Sequence, residues 1–128
     1  MVICVDFDGV CCEHKFPDIG KDIGAFPWLK KFQEMGAKLI LYTMRSDSEK
    51  AGPVLSEAVE HCRKNGIEFY GVNNNPTQHL WSASPKVYGK LYIDDAALGC
   101  PLTREGFADW SKIGPKVEKW LRRELEKK

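Results

Sequence analysis

The sequence predicts a single α/β domain with a mostly parallel sheet and helices on both faces. Three observations carry that expectation. Short apolar runs at 2–6, 38–43, 67–72 and 90–94 read as buried parallel strands. Stretches with helical apolar spacing lie between and after them. The chain has 128 residues, 43% of them hydrophobic and 29% charged, which suits one domain over 1–128 that can bury a core without disulfides. Strands alternating with helices imply βαβ units with right-handed crossovers.

The first run, VICVD, ends in a carboxylate at Asp6 and is followed by a turn at Gly9. Residues 10–24 are irregular, with Pro17, Gly20 and Gly24. A helix fits 25–35, where Phe26, Trp28, Leu29, Phe32 and Met35 form a core-facing stripe and Gly36 stands ready to end it. The second strand, KLILYT, ends at Thr43. A second helix fits 49–65, with Leu55, Ala58, Val59 and Cys62 on one face, Pro53 near its start and Gly66 past its end. The third strand, 67–72, leads into a polar loop over 73–86. The fourth strand ends at Asp94-Asp95. A last helix is expected from Pro115, with Val117, Trp120, Leu121 and Leu125 inward.

Bulk properties exclude several classes. The net charge of +1 supplies no field for independent tight binding of nucleic acid. The basic run from Arg122 to Lys128 reads as a solvated helix end. No stretch is apolar for long enough to span a membrane. A strand starting at Val2 leaves no room for a signal peptide. The five cysteines are scattered and make no disulfide framework, so a reducing, cytoplasmic setting is expected. Cys11, Cys12 and His14 fit no structural zinc spacing, and the two cysteines read as packing residues.

Ligands of parallel α/β sheets bind beyond the carboxyl ends of the strands. Asp6, Asp8, Thr43 and the pair Asp94-Asp95 all belong at that edge. Carboxylates gathered there repel one another unless a cation lies among them, and oxygen donors suit magnesium. One carboxylate could then attack phosphorus, with the Thr43 hydroxyl and the Lys86 charge holding the phosphoryl group. Arg45, two residues past the second strand, could contact substrate or be a solvated loop residue. His79 and Trp81 could line the substrate entrance, although packing is the commoner role for such residues.

These residues also carry a family resemblance. Asp6-Phe7-Asp8-Gly9-Val10 resembles the DxDG(T/V) signature of the haloacid dehalogenase-like (HAD) superfamily. Leu41-Tyr42-Thr43 is similar to its second motif, Lys86 to the third-motif lysine, and Ile93-Asp94-Asp95 to the paired-acid fourth motif. The motifs come in order, over Val2 to about Gly99. Lys90 is a poorer match for the lysine, because it lies at the far end of its strand. The resemblance implies a HAD-like Rossmannoid fold. It also implies Asp6 as nucleophile and magnesium ligand, and Asp8 as general acid/base and backbone ligand. Thr43 and Lys86 would bind the phosphoryl group, with Gly9 and Arg45 counted among the substrate-binding positions. Asp95 and Asp94 would hold or support the metal, with the closer of the two left open. Neither the stretch after Gly9, about fifteen residues, nor 44–85 holds a cap domain, so the chain looks like the capless subgroup, similar to small bacterial or phage proteins.

The expectation is therefore a magnesium-dependent phosphomonoesterase acting on a nucleotide, a sugar phosphate or a similar small phosphorylated substrate. Its open site could be closed by a second copy of the chain. Two alternatives belong to other classes. One is a non-catalytic magnesium- and phosphate-binding module. The other is a nucleic-acid-end processing component that acts with a partner.

Overall fold

The computed structural model describes residues 1–127; Lys128, the end of the basic C-terminal run, lies outside them. In chain order the elements are β1 (Val2–Val5), α1 (Ala25–Glu34), β2 (Lys38–Leu41), α2 (Val54–Lys64), β3 (Gly71–Val72), β4 (Leu91–Ile93) and α3 (Trp110–Glu126). The four strands form one all-parallel sheet in the order β3-β2-β1-β4. This is a small Rossmann-like α/β domain without a cap. No described helix is long and apolar enough to cross a membrane.

Alternation along the strands separates two layers of core. Ile3 and Val5 of β1 and Leu39 and Leu41 of β2 face Phe26, Leu29 and Phe32 of α1, Ala58 and Cys62 of α2, and Ile113, Val117 and Leu121 of α3. Each fully buried Leu or Phe here contributes roughly 1.5–3 kcal/mol. The intervening residues Cys4 and Ile40 point the other way and pack with Val87. The expected cover on both faces is thus present but unequal. Three α-helices lie on one face, and the β3–β4 connection, with one 3₁₀ turn at Gln78–Leu80, lies on the other. The handedness rule explains this. Steps from β1 to β2 to β3 run one way along the sheet. The step from β3 to β4 runs back, so a right-handed crossover must pass over the opposite face. Buried Gln78 organises that crossing by donating to the carbonyls of Ser84 (3.1 Å) and Lys86 (2.7 Å) and accepting from the amide of Tyr88 (2.8 Å).

Both glycines expected to end helices do so. Gly36 (φ 97°) and Gly66 (φ 87°) follow α1 and α2. The next residues, Ala37 and Ile67, donate back to Phe32 and Cys62, each at 3.0 Å, which closes two Schellman turns with apolar contacts. Other boundaries differ from the sequence expectation. α2 begins at Val54, not at 49, because Ser48 and Gly52 pair in a turn with Gly52 at φ 82°. Its exposed first-turn amides are taken by Asp47, whose Oδ1 accepts from Leu55 (2.8 Å) and Ser56 (3.0 Å). α3 begins at Trp110, not at Pro115, since Asp109 caps it by accepting from Ser111 N at 3.1 Å. Trp120 and Leu125 are 39% and 48% exposed; the buried stripe runs instead through Ile113, Val117 and Leu121. β3 keeps only two of the expected six residues, although Ile67 is buried.

Candidate functional site

The strand order reverses direction at β1, so the crevice between the carboxyl ends of β1 and β4 is the switch point of the sheet. Asp6 follows β1 and Asp94-Asp95 follow β4. Asp6 N donates to Ile93 O at 3.0 Å and ties the two ends together. One carboxylate oxygen from each of Asp6, Asp94 and Asp95 lies within 4.8 Å of the others. The structure thus brings together the three acids that the sequence placed at one edge.

The electrostatics of Asp6 record that crowding. Burial, followed by the charges of Asp94, Asp95 and Asp8, pushes its carboxyl from the ordinary 3.8 up to about 7, against the lowering effect of the Phe7 amide. That amide donates to Asp6 Oδ1 at 2.7 Å. The second oxygen of Asp6 is left for another partner. An all-oxygen donor set under mutual repulsion fits a hard divalent cation, with Asp6, Asp94 and Asp95 as its holders. Asp94 Oδ1 accepts from Ala96 N at 2.8 Å, which fixes its rotamer at the head of the following turn.

Asp8 is held differently. Arg45 Nε donates to its Oδ2 and Arg45 Nη2 to its Oδ1, both at 2.8 Å. The remaining guanidinium donors go to the carbonyls of Val54 (3.0 Å), Pro17 (3.3 Å) and Asp18 (2.8 Å). The group also stacks over Phe7 and Phe16, at 4.8 and 5.2 Å. Arg45 is 3% exposed. This corrects its expected role as a substrate contact or solvated loop residue. It is a buried tie between the irregular segment 10–24, the start of α2 and Asp8, and its donors have no capacity left for substrate.

Thr43 has its amide held by Asn73 Oδ1 at 2.8 Å, and its Oγ1 accepts from Arg45 N at 3.2 Å. The hydroxyl proton stays available to donate. Asn73 sits at φ 54°, a left-handed conformation that asparagine tolerates better than most residues. Sequence reasoning did not single it out; its signal was an Asn run directly after a strand. Lys86 is exposed, with Nζ 5.4 Å from the centre of the Tyr92 ring, and Tyr92 in turn meets Tyr42 at 6.3 Å. None of the ion pairs of the described residues includes Lys86.

Gly9 corrects a second expectation. Its N–H donates to Cys12 O at 2.8 Å and its carbonyl accepts from Ala108 at 2.8 Å, so its backbone polar groups are already engaged within the protein. Its value is steric. At φ 82°, a Cβ would stand 2.3 Å from His14 Nε2 and 2.5 Å from Asp95 Oδ2. His14 fits no structural zinc spacing with Cys11 and Cys12; its Nε2 lies 2.8 Å from Asp95 Oδ2. Cys11 and Cys12 are fully buried packing residues, as expected. Burial pushes the Cys12 thiol to about 11, and a hydrogen bond between Cys11 and Cys62, together with burial, raises Cys11. Trp81 is 63% exposed and packs edge-on against Tyr88, 5.4 Å between ring centres.

Fold and site together define a class: a capless Rossmann-like domain with an acidic cluster at its switch point. No family model and no curated protein matches the chain. The chain is similar to the solved structure of a conserved protein coded by a locus from Bacteroides thetaiotaomicron, at 38% identity and a TM-score of 0.76. The match covers 93% of this chain and 90% of that one. The chain belongs to the same family as that protein. The relationship establishes fold and family and leaves the chemistry to be read from the site.

Proposed function

We propose that this protein is a magnesium-dependent phosphomonoesterase of the HAD superfamily, working through a phosphorylated Asp6. The observation that carries the reading is the convergence of Asp6, Asp94 and Asp95 within 4.8 Å at the switch point, beside a Thr43 with a free hydroxyl proton. The bound cation would lower the repulsion among the acids and draw charge from the phosphoryl oxygens. Asp6, Asp94 and Asp95 would hold it. Asp6 attacks phosphorus, and the bond to the leaving oxygen breaks as Asp8 gives that oxygen a proton. Asp8 then takes a proton from water, whose oxygen attacks phosphorus and frees Asp6 and phosphate. Each Asp8 oxygen has a second lone pair beyond the one facing Arg45, so the carboxyl can carry that proton in place. Thr43 and Lys86 serve the phosphoryl oxygens.

The open, capless site suits a small phosphorylated substrate such as a nucleotide or sugar phosphate, in the cytoplasm, with closure by a second copy as one arrangement. A second reading has one observation in its favour. The bidentate hold of Arg45 on Asp8 is also what a structural carboxylate would show, and it favours a non-catalytic magnesium- and phosphate-binding module. The test is release of phosphate from an aryl phosphate with magnesium and with excess chelator. The phosphatase reading expects turnover only with the metal, and turnover unaffected by the chelator contradicts it.

A further inference from the structure

Among the described residues, His14 is the one side chain outside the acidic cluster that hydrogen-bonds to it through a ring nitrogen. It lies in 10–24, a segment with no regular secondary structure, yet its position is well supported. Glu13 N donates to Lys21 O at 2.9 Å, and Cys12 bridges Asp22, so the residues before and after His14 are tied back on themselves. The Phe107 ring lies 5.9 Å from the imidazole on one side. On the other, Gly9 has no Cβ, and any Cβ there would strike both His14 Nε2 and Asp95 Oδ2. The turn that follows Asp6 is therefore shaped around this pair.

The pair is unlike an ordinary surface contact. Asp95 is only 15% exposed, although His14 is 54% exposed. His14 also stands outside the group whose ligand atoms lie within 4.8 Å of one another. It contacts the cluster through Asp95 Oδ2, at 2.8 Å, as an outer partner of a would-be ligand. Facing a carboxylate, its Nε2 is the donor. Such partners fix the orientation of the carboxylate they hold, and their loss typically lowers metal affinity by about 10–100-fold.

We infer that His14 is a positioning residue for the divalent-cation site, its Nε2–H bond holding one oxygen of Asp95 so that the other is presented toward Asp6 and Asp94. This rests on the proposed cation site, and the test separates the two. Binding of Mn²⁺, as a spectroscopic substitute for magnesium, is followed by electron paramagnetic resonance of the free ion. The proteins are wild type, Asp6→Ala, His14→Ala and His14→Gln, each checked by thermal melting. Glutamine places an amide N–H where Nε2–H lies. The expected result is binding that needs Asp6, weakens about 10–100-fold in His14→Ala and is largely restored in His14→Gln. Wild-type affinity in His14→Ala overturns the inference while leaving the cation site standing. Equal weakening in both His14 variants overturns the hydrogen-bond account. Wild-type protein without Asp6-dependent binding removes the site itself, and the inference with it.

Discussion

Replacing Asp6 by asparagine should stabilise the metal-free protein at neutral and higher pH. Burial and the neighbouring acids hold the Asp6 carboxyl at about 7, against 3.8 ordinarily. A folded value above the unfolded one means that the native state binds more protons between those limits. Stability is therefore complete below about pH 4 and declines as pH rises through about 7. Each pH unit is worth about 1.4 kcal/mol, so the unscreened penalty is at most about 4 kcal/mol. Asp6 is half-buried and water screens part of this, so about 1–2 kcal/mol is the sensible size. In a domain of this length that corresponds to a rise in Tm of about 3–8 °C. Thermal melts in chelator at pH 4.5 and pH 8 measure it. Asp6→Asn should melt higher than wild type at pH 8 and nearly equal to it at pH 4.5, and magnesium should raise the wild type more than the variant. An asparagine variant no more stable than wild type at pH 8 refutes the account of a repelled, half-buried carboxylate.

Other perturbations follow from the same geometry. Arg45→Ala leaves Asp8 and three backbone carbonyls without their donor and should cost about 3–5 kcal/mol in urea denaturation; a loss under 1 kcal/mol would mean that water replaces the guanidinium easily. Gly114→Ala puts a Cβ 2.2 Å from the Trp28 ring and should cost about 1–3 kcal/mol by pushing α1 from α3. Gly36→Ala meets nothing within 4 Å and should cost only its left-handed backbone, about 1–2 kcal/mol. Asp8→Asn should slow turnover by about two to four orders of magnitude on alkyl phosphates and less on aryl phosphates, whose leaving groups need no proton. Equal losses on both classes, in single-turnover rates, would assign Asp8 a structural role beside Arg45.

The legible parts of the chain were those with local periodicity. The apolar runs ending at Asp6, Thr43 and Asp94 located β1, β2 and β4 and the edge where the acids meet, because a strand's alternation and its terminal polar residue are adjacent in sequence. Gly36 and Gly66 marked helix ends for the same reason. What could not be read depends on the paths of irregular segments. Asp47 caps a helix that starts seven residues later, across a turn at Gly52. Arg45 reaches Asp8 across 37 positions and His14 reaches Asp95 across 81, each through a loop without period. Pro115 looked like a first-turn residue, whereas Asp109 had already begun the helix. Trp120, expected inward with Val117 and Leu121, lies one position from Leu121, about 100° around the helix from the buried stripe.

The central claim is a covalent phosphoryl group on Asp6. The direct measurement is rapid acid quench of the protein turning over an aryl phosphate with magnesium, followed by borohydride reduction, which converts an aspartyl phosphate to homoserine, and peptide mass spectrometry. Homoserine should appear at position 6 alone, and only when substrate and magnesium were both present. Homoserine at another aspartate, or at none while phosphate is being released, contradicts the assignment.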